Sequence, residues 1–306
     1  MQLGVALPMA GEWATPENQI RVARAAESLG YHSVWVFQRL LYAVKPKNDY
    51  PPMPGQPWPK GFERVLDPIV SLAYVAGATS RVRLGTSVLL MPYYQPIVLA
   101  KQLATLDLLS GGRLDVGLGL GWSEDEYEAV GVPFRQRGRR GDEFLRCLKA
   151  IWTEPEVEFR GEFYQVPRSR IAPKPAQKPH PPITIGGYSP VVVQRAVRLG
   201  DGFNGGNVPL DRVAPIVTEL HRVAREIGRD PATLHVVSRG SYQVMDRPQG
   251  KDRRPLYGTL DEIREDVARY AAAGLTELFL EPNFQPGGAV VDRTLRHMEL
   301  LAPSAQ

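Results

Sequence analysis

The chain has 306 residues, a length that suits two ordinary domains or one α/β barrel. Apolar residues make up 43% and charged residues 23%, a globular balance that excludes a disordered, collagen-like or coiled-coil chain. The net charge of +4 is small for this length, and no apolar run approaches the roughly 20 residues of a membrane span, so neither nucleic acid nor a bilayer is the expected partner. The single cysteine, Cys147, rules out an intrachain disulfide and a thiolate metal cluster. The opening MQLGVALP lacks the basic and apolar segments of a secretion signal, which predicts a cytoplasmic protein.

The elements repeat as strand and helix. Leu3, Val5 and Leu7 alternate as in a short strand. Thr15-Pro16 opens a helix that Gly30 closes, and His32–Phe37 is rich in β-branched and aromatic residues. A helix over Asp67–Thr79 precedes a strand over Val82–Leu89, and a helix over Ile97–Ser110 precedes a strand over Arg113–Leu118. A helix follows over Asp142–Trp152, then a hairpin over Val157–Val166. Ile183–Ile185 is a strand ending in Gly186-Gly187, and Ser189 caps the helix that runs to Gly200. Gly202–Asn204 is a brief strand before a helix over Asp211–Ile227. Leu234–Val244 is a strand, Thr259 and Glu262 have capping-box spacing, Thr276–Leu280 is the last strand, and Asp292–Leu301 the last helix. Eight strands, nearly all followed by helices, imply parallel pairing with right-handed crossovers. The count favours one (β/α)8 TIM barrel over residues 1–306, with an open doubly wound sheet as the alternative.

In such a barrel the loops after the strands build the site. The longest, 40–66, carries six prolines with Tyr42, Tyr50, Trp58 and Phe62, and reads either as a lid-like insertion or as a plain excursion. A second insertion spans 168–182. A third, 245–257, is polar, with Arg247, Lys251, Arg253 and Arg254, and reads as a mobile loop. Gly117, Gly119, Gly121 and Trp122 follow the fourth strand, but Glu124 stands where a dinucleotide fingerprint needs glycine. Gly186-Gly187 and Gly205-Gly206-Asn207 lie at neighbouring strand ends beside helix starts, an arrangement that suits phosphate but also serves ordinary turns. The five histidines, His32, His180, His221, His235 and His297, have no metal-ligand spacing, and no nucleophile elbow occurs. Such a chain suits an organic cofactor that carries the chemistry itself.

The segments LGYHSVWV (29–36), RVRLGTSVLLMPYYQPIVLAKQLATLDLLSGGRLDVGLGLGW (81–122), PPITIGGYSP (181–190) and RAVRLGDGF (195–203), with the stretch from Gly258 to Leu280, resemble the luciferase-like monooxygenase superfamily, and within it the branch using the deazaflavin coenzyme F420. The resemblance implies a (β/α)8 barrel with the tricyclic ring at its C-terminal mouth. It implies cofactor contacts from Ser87, Val88, Gly121, Trp122, Gly186, Gly187, Gly205, Gly206 and Asn207, with a cis Ser87-Val88 peptide bulging against the ring. Where many relatives have Asp-His-Leu after the second strand, this chain has Gln38-Arg39-Leu40. Gln38 and Arg39 are therefore the candidate catalytic residues, although neither is a general acid at working pH. The resemblance thus implies an F420-dependent oxidoreductase passing hydride to or from a small organic substrate. A reduced-FMN monooxygenase and a non-catalytic flavin-binding barrel are the alternatives, and a homodimer is the expected assembly. The cluster Arg135, Arg137, Arg139 and Arg140 reads as a solvated loop or as a partner for an anionic cofactor tail.

Overall fold

The computed structural model describes residues 1–187, 189–250, 252–285 and 288–303. Eight strands alternate with helices: β1 (Gln2–Ala6), β2 (Ser33–Val36), β3 (Arg83–Thr86), β4 (Leu114–Gly119), β5 (Ile183–Gly186), β6 (Gly202–Gly206), β7 (His235–Ser241) and β8 (Glu277–Glu281). The helices are α1 (Pro16–Ser28), α2 (Pro68–Ala76), α3 (Pro96–Leu109), α4 (Glu124–Ala129), α5 (Arg137–Thr153), α6 (Val191–Leu199), α7 (Leu210–Glu226), α8 (Leu260–Ala272) and α9 (Val291–Leu300). Neighbouring strands of the sheet pair in parallel. β1 lies between β8 and β2, and Leu84 of β3 is in register with Leu114 of β4, so the sheet closes on itself as a (β/α)8 barrel. Among the described residues no helix is long and apolar enough to cross a membrane.

Local chemistry places the helix ends. Thr15 accepts the Asn18 amide at 3.2 Å with Pro16 at the first helical position of α1. Thr259 and Glu262 form the expected capping box on α8. The hairpin pairs Val157–Arg160 with Gln165–Ser169.

Four boundaries differ from the sequence reading. The third strand breaks after Thr86, at a cis Ser87-Val88 peptide, and resumes at Leu89–Leu90, which pairs with Leu118 and Gly119. α5 begins at Arg137 rather than Asp142, because a 3-10 turn over Phe134–Gln136 feeds it and the Arg137 guanidinium stacks 3.7 Å from the Phe134 ring. Pro190, not Ser189, is the N-cap of α6; Ser189 contributes only its carbonyl, which accepts the Val192 amide at 3.0 Å. β7 ends at Ser241, and Gln243–Val244 pairs instead with Tyr257–Gly258, beyond the third insertion.

The core has two layers. Large apolar side chains such as Val5, Val34, Leu84 and Leu114 pack outward against Leu72, Leu103 and Leu148 of the helices, each burial stabilising by about 1.5–3 kcal/mol. Inside the barrel Ala6, Trp35, Val237 and Phe279 form a separate cluster, with the Trp35 and Phe279 rings stacked at 4.9 Å. Gly85 makes room for Trp35: a Cβ there would stand 2.4 Å from the indole. This plug fills the barrel below its C-terminal mouth.

The first insertion is anchored by its aromatic residues. Tyr50, Trp58 and Phe62 are buried, and Tyr50 and Trp58 pack on Trp122 at ring distances of 5.3 and 4.8 Å. Asn48 clamps it further, donating to the Trp122 carbonyl at 2.9 Å and accepting the Glu124 amide at 2.8 Å. In the third insertion Arg253 pairs with the buried Asp266, whose carboxylate also accepts the Leu256 amide at 2.7 Å. Lys251 of that insertion lies outside the described residues.

Candidate active site

A cleft of roughly 300 Å³ opens at the C-terminal ends of β2 to β7. Its floor is the Ser87-Val88 step. The Ser87 hydroxyl donates to Asn204 Oδ1 at 2.8 Å, while Asn204 Nδ2 donates to the Thr86 carbonyl at 3.3 Å and to the Thr184 hydroxyl at 3.2 Å. Asn204 thus ties β3 to β5 and β6 from inside the barrel. Val88 lies between Gly119 and Gly186, where added Cβ atoms would stand 2.6 and 2.8 Å from its methyl groups. Both glycines are present because Val88 occupies the space their side chains would take.

One wall follows β2. Gln38 Oε1 accepts the Leu90 amide at 2.7 Å, and Nε2 donates to the Tyr94 hydroxyl at 2.6 Å. Both ends of the amide are engaged, so Gln38 fixes the broken third strand against β2. Burial pushes the Tyr94 phenol up to about 12. Arg39 is buried beside it. Its Nε donates to the Gln38 carbonyl at 2.9 Å, its Nη2 stands 3.3 Å from Glu126 Oε2, and its guanidinium lies 4.5 Å from the Trp122 ring and 5.6 Å from Phe62. Nη1 is buried, closed even to a water-sized probe, and has no hydrogen-bond partner among the described residues. Glu126, fully enclosed at the start of α4, also accepts the Leu40 amide at 2.7 Å and the Tyr93 hydroxyl at 2.9 Å. Burial and the Glu126 charge hold the Tyr93 phenol far above its usual range.

The opposite wall is bare. It presents Gly186, Gly187, Ser189 and Gly206 with Val192, and the guanidiniums of Arg137 and Arg195. Arg195 is paired with Asp142 on α5, whereas Arg137 enters no ion pair among the described residues. Arg239 and Phe284 complete the rim, with the guanidinium 5.6 Å from the phenyl ring.

Gln38, Arg39, Ser87, Val88, Gly121, Trp122, Gly186, Gly187 and Gly206 all line the cleft. Gly205 and Asn207 do not. Gly205 faces Val208 and Phe203 on the outer side of β6, since adjacent strand residues point oppositely. Asn207, with φ 56°, accepts the Ser241 amide at 2.8 Å and lines a neighbouring cavity. Of the arginine cluster only Arg137 is in the cleft wall; Arg139 pairs with Glu162, and Arg140 stacks on Phe163.

The sequence reading missed Arg195, Asn204, Arg239, Phe284 and Glu126. The alternation of β6 was the one available signal, since it turns Asn204 inward when Phe203 faces the helices. The described lining residues include four arginines but no Asp, Glu, His, Lys or Cys, and no described group of side chains has the makings of a metal site. The chemistry of such a lining suits an anionic ligand, and the described lining residues offer no general base.

Residues 1–254 match the sequence profile described as luciferase-like monooxygenase. A Mycobacterium tuberculosis protein of uncharacterised function is 39% identical over 284 residues, 91% of this chain and 90% of that one. The oxygenase component of a flavin-dependent trigonelline monooxygenase from Acinetobacter baylyi is 30% identical over 254 residues, 82% of this chain and 62% of that one. Among solved structures, an F420-dependent secondary alcohol dehydrogenase in complex with an F420-acetone adduct superposes with a TM-score of 0.78 at 18% identity, over 100% of this chain and 99% of that one.

Proposed function

Since the chain belongs to the luciferase-like monooxygenase family, we propose that it is an F420-dependent oxidoreductase that passes hydride between the deazaflavin and a small organic substrate. The observation that carries this reading is the lining: four guanidiniums spread over both walls, and no carboxylate among the described lining residues. F420 bears a phosphodiester and a glutamyl tail, so it presents more negative charge than the single phosphate of FMN. When bound, it supplies a hydride equivalent at C5 of its ring.

The residues present fit that group. Val88 and the flanking strand-end glycines give a flat floor on which a planar ring can rest. Arg137 and Arg195 stand beside Gly186, Gly187 and Ser189, where an anionic tail finds charge and backbone amides. Tyr50, Phe62 and Trp122 close the β2 side against water. With no carboxylate or imidazole among the described lining residues, these residues hold and orient the reactants, and the proton balance is left to solvent.

A second reading, a reduced-FMN monooxygenase, is favoured by the 30% identity to the trigonelline enzyme. Titration of the protein with F420 and, under anaerobic conditions, with reduced FMN separates the two. F420 is expected to give a saturable fluorescence change, and Arg137→Ala to weaken it by roughly tenfold or more, the worth of one charge-assisted contact. Tight FMN binding with no response to F420 sinks the first reading and supports the second.

A further inference from the structure

Beside the cleft lies a chamber of about 790 Å³, more than twice its volume. The loops after β1 and β8, the end of β7, the first insertion, and Arg254 and Tyr257 of the third insertion line it. Tyr50 and Phe284 line both spaces, so an occupant of the chamber meets an occupant of the cleft at these two rings. The two spaces differ in chemistry. Among the described lining residues of the chamber, the charged ones are Glu12, Lys60, Glu63, Arg64 and Arg254; all are exposed, and they carry both signs. Arg64 pairs with Glu12 at 3.2 Å, and Arg254 lies 4.4 Å from the Tyr257 ring. Charges so placed are screened by water and select little. The described inner lining is neutral: Trp13, Tyr50, Ser241 and Asn283 are buried, Asn207 and Phe284 half-buried.

Several of these neutral groups are open to a ligand. The Tyr50 hydroxyl, the Ser241 hydroxyl and Asn207 Nδ2 make no hydrogen bond among the described residues, and none of them is sealed from water. Ser241 meets Asn207 only through its backbone amide, which donates to Asn207 Oδ1 at 2.8 Å. The backbone marks the same place. Among the described residues, Asn207 and Leu256 alone are non-glycine residues in the left-handed region, with φ 56° and 67°. Asn207 lines the chamber, and Leu256 is followed by Tyr257, which lines it too. A buried leucine in that conformation is strained, and such residues gather where a segment is shaped for a ligand.

We propose that this chamber seats the substrate, and that the substrate class is a neutral, drug-sized molecule of flat rings bearing hydroxyl and carbonyl oxygens. Its rings rest among Trp13, Tyr50, Tyr257 and Phe284, and its oxygens meet the Tyr50 and Ser241 hydroxyls and the Asn207 amide. A charged ligand would leave its charge without a partner on the neutral inner lining. Sites of about 300–1,000 Å³ with largely apolar walls and a few polar groups take ligands of this size, and a ketone of a few atoms would leave most of the chamber to water. The resemblance implied a cofactor contact for Asn207; its place in the chamber wall assigns it to the substrate instead. The seat stands on the chamber alone, whereas the identity of its occupant as substrate rests on the hydride-transfer reading above.

Naringenin, a flavanone with ring hydroxyls and a carbonyl, is the probe. It is titrated by calorimetry into the full chain, in mildly acidic buffer that keeps its phenols protonated, beside naphthalene-2-sulfonate, a flat anion, and 1-octanol, a neutral alkyl chain. Naringenin is expected to bind saturably and more tightly than either. Asn207→Gly suits φ 56° and deletes the amide, and Ser241→Ala deletes the hydroxyl. Together they are expected to weaken naringenin by roughly tenfold or more, with F420 affinity and circular dichroism unchanged. Gly61→Trp tests the space itself. A Cβ there meets only Ala10, at 3.6 Å, and the added indole takes up chamber volume, so naringenin binding is expected to be lost with the melting temperature held. No binding of naringenin by wild type, or equal affinity in the double variant and in Gly61→Trp, overturns the proposal. So does tighter binding of the sulfonate or the octanol that Gly61→Trp abolishes, which would make the chamber an anion or alkyl site. A parallel loss of F420 affinity in the double variant also overturns it and returns Asn207 to the cofactor. Absence of any F420 response in wild type instead overturns the hydride-transfer reading, and the naringenin result then judges the seat by itself.

Discussion

The two ends of the barrel treat buried charge differently. At the N-terminal base, Arg83 grips Asp115 through two hydrogen bonds of 2.7 and 2.6 Å. Arg113 donates to the carbonyls of Ala76, Thr79, Val82 and Ser110. Glu277 Oε1 accepts from the Ser33 hydroxyl and, at 2.8 Å, from Trp35 Nε1. These polar groups find their partners within the protein itself. At the C-terminal mouth, among the described residues, Arg39 Nη1 has no acceptor and Arg137 enters no ion pair. The base spends its polar groups on stability, whereas the mouth, where this fold builds its sites, leaves some without a partner among the described residues.

The largest effect is expected where the mouth does both jobs. Glu126→Ala leaves Arg39 charged and enclosed, and strips acceptors from Leu40 and Tyr93. A loss of about 3–5 kcal/mol is expected in chemical unfolding, the usual result of removing one partner of a buried pair. A loss below about 1 kcal/mol would show that the mouth is more open to water than its geometry indicates.

At the base, burial raises the Glu277 carboxyl from 4.5 to about 7. A carboxyl raised on folding favours the protonated state, so its stabilising contribution is full below pH 4.5 and is lost as pH rises through 7. The lost stability amounts to about 3 kcal/mol for a shift of this size. Glu277→Gln should remove that slope from unfolding measured between pH 4 and 8, with no change in cofactor affinity. Equal slopes in wild type and variant would mean that the Ser33 and Trp35 donors keep the group ionised.

Gly186→Ala sharpens the contrast from the other side. Its Cβ would stand 2.8 Å from a Val88 methyl and 3.1 Å from the Asn204 carbonyl. Overpacking of this kind costs about 1–3 kcal/mol, and displacement of Val88 should lower F420 affinity more than it lowers the melting temperature. Asn48→Ala is expected to be the mildest. It removes two hydrogen bonds between the first insertion and the α4 start, about 1 kcal/mol each at most, and hydrogen exchange should rise across residues 40–66 with the barrel unchanged.

The sequence and the structure agree on the repeat because period and punctuation are local. Alternation in Leu3–Leu7, the Thr15-Pro16 cap and the Thr259–Glu262 box each act within a few residues. The break at Ser87-Val88 was expected only from resemblance; nothing in the alternation of 82–89 signals it. The site was legible where a strand end carries glycine or follows a recognised segment, as at Gly121, Trp122 and Gly186. It was illegible where a residue matters through a partner far away. Nothing in the local sequence singles out Glu126 from Glu124 and Asp125 beside it, and only folding brings it against Arg39, 87 positions earlier in the chain.

The sequence by itself determined the eightfold βα repeat and the family resemblance, since these follow from short-range propensity and from motifs contiguous in the chain, and its count of eight favoured the barrel whose closure the pairing of β3 with β4 then showed. Only the tertiary structure decided which side chains share the cleft. It turned Asn204 inward and Gly205 outward by the pleat of β6, and brought Arg137, Arg195 and Arg239 to one mouth from three separate elements. It also left Arg39 Nη1 without an acceptor among the described residues, because hydrogen-bond balance is a property of the packed neighbourhood and not of the segment that supplies the donor.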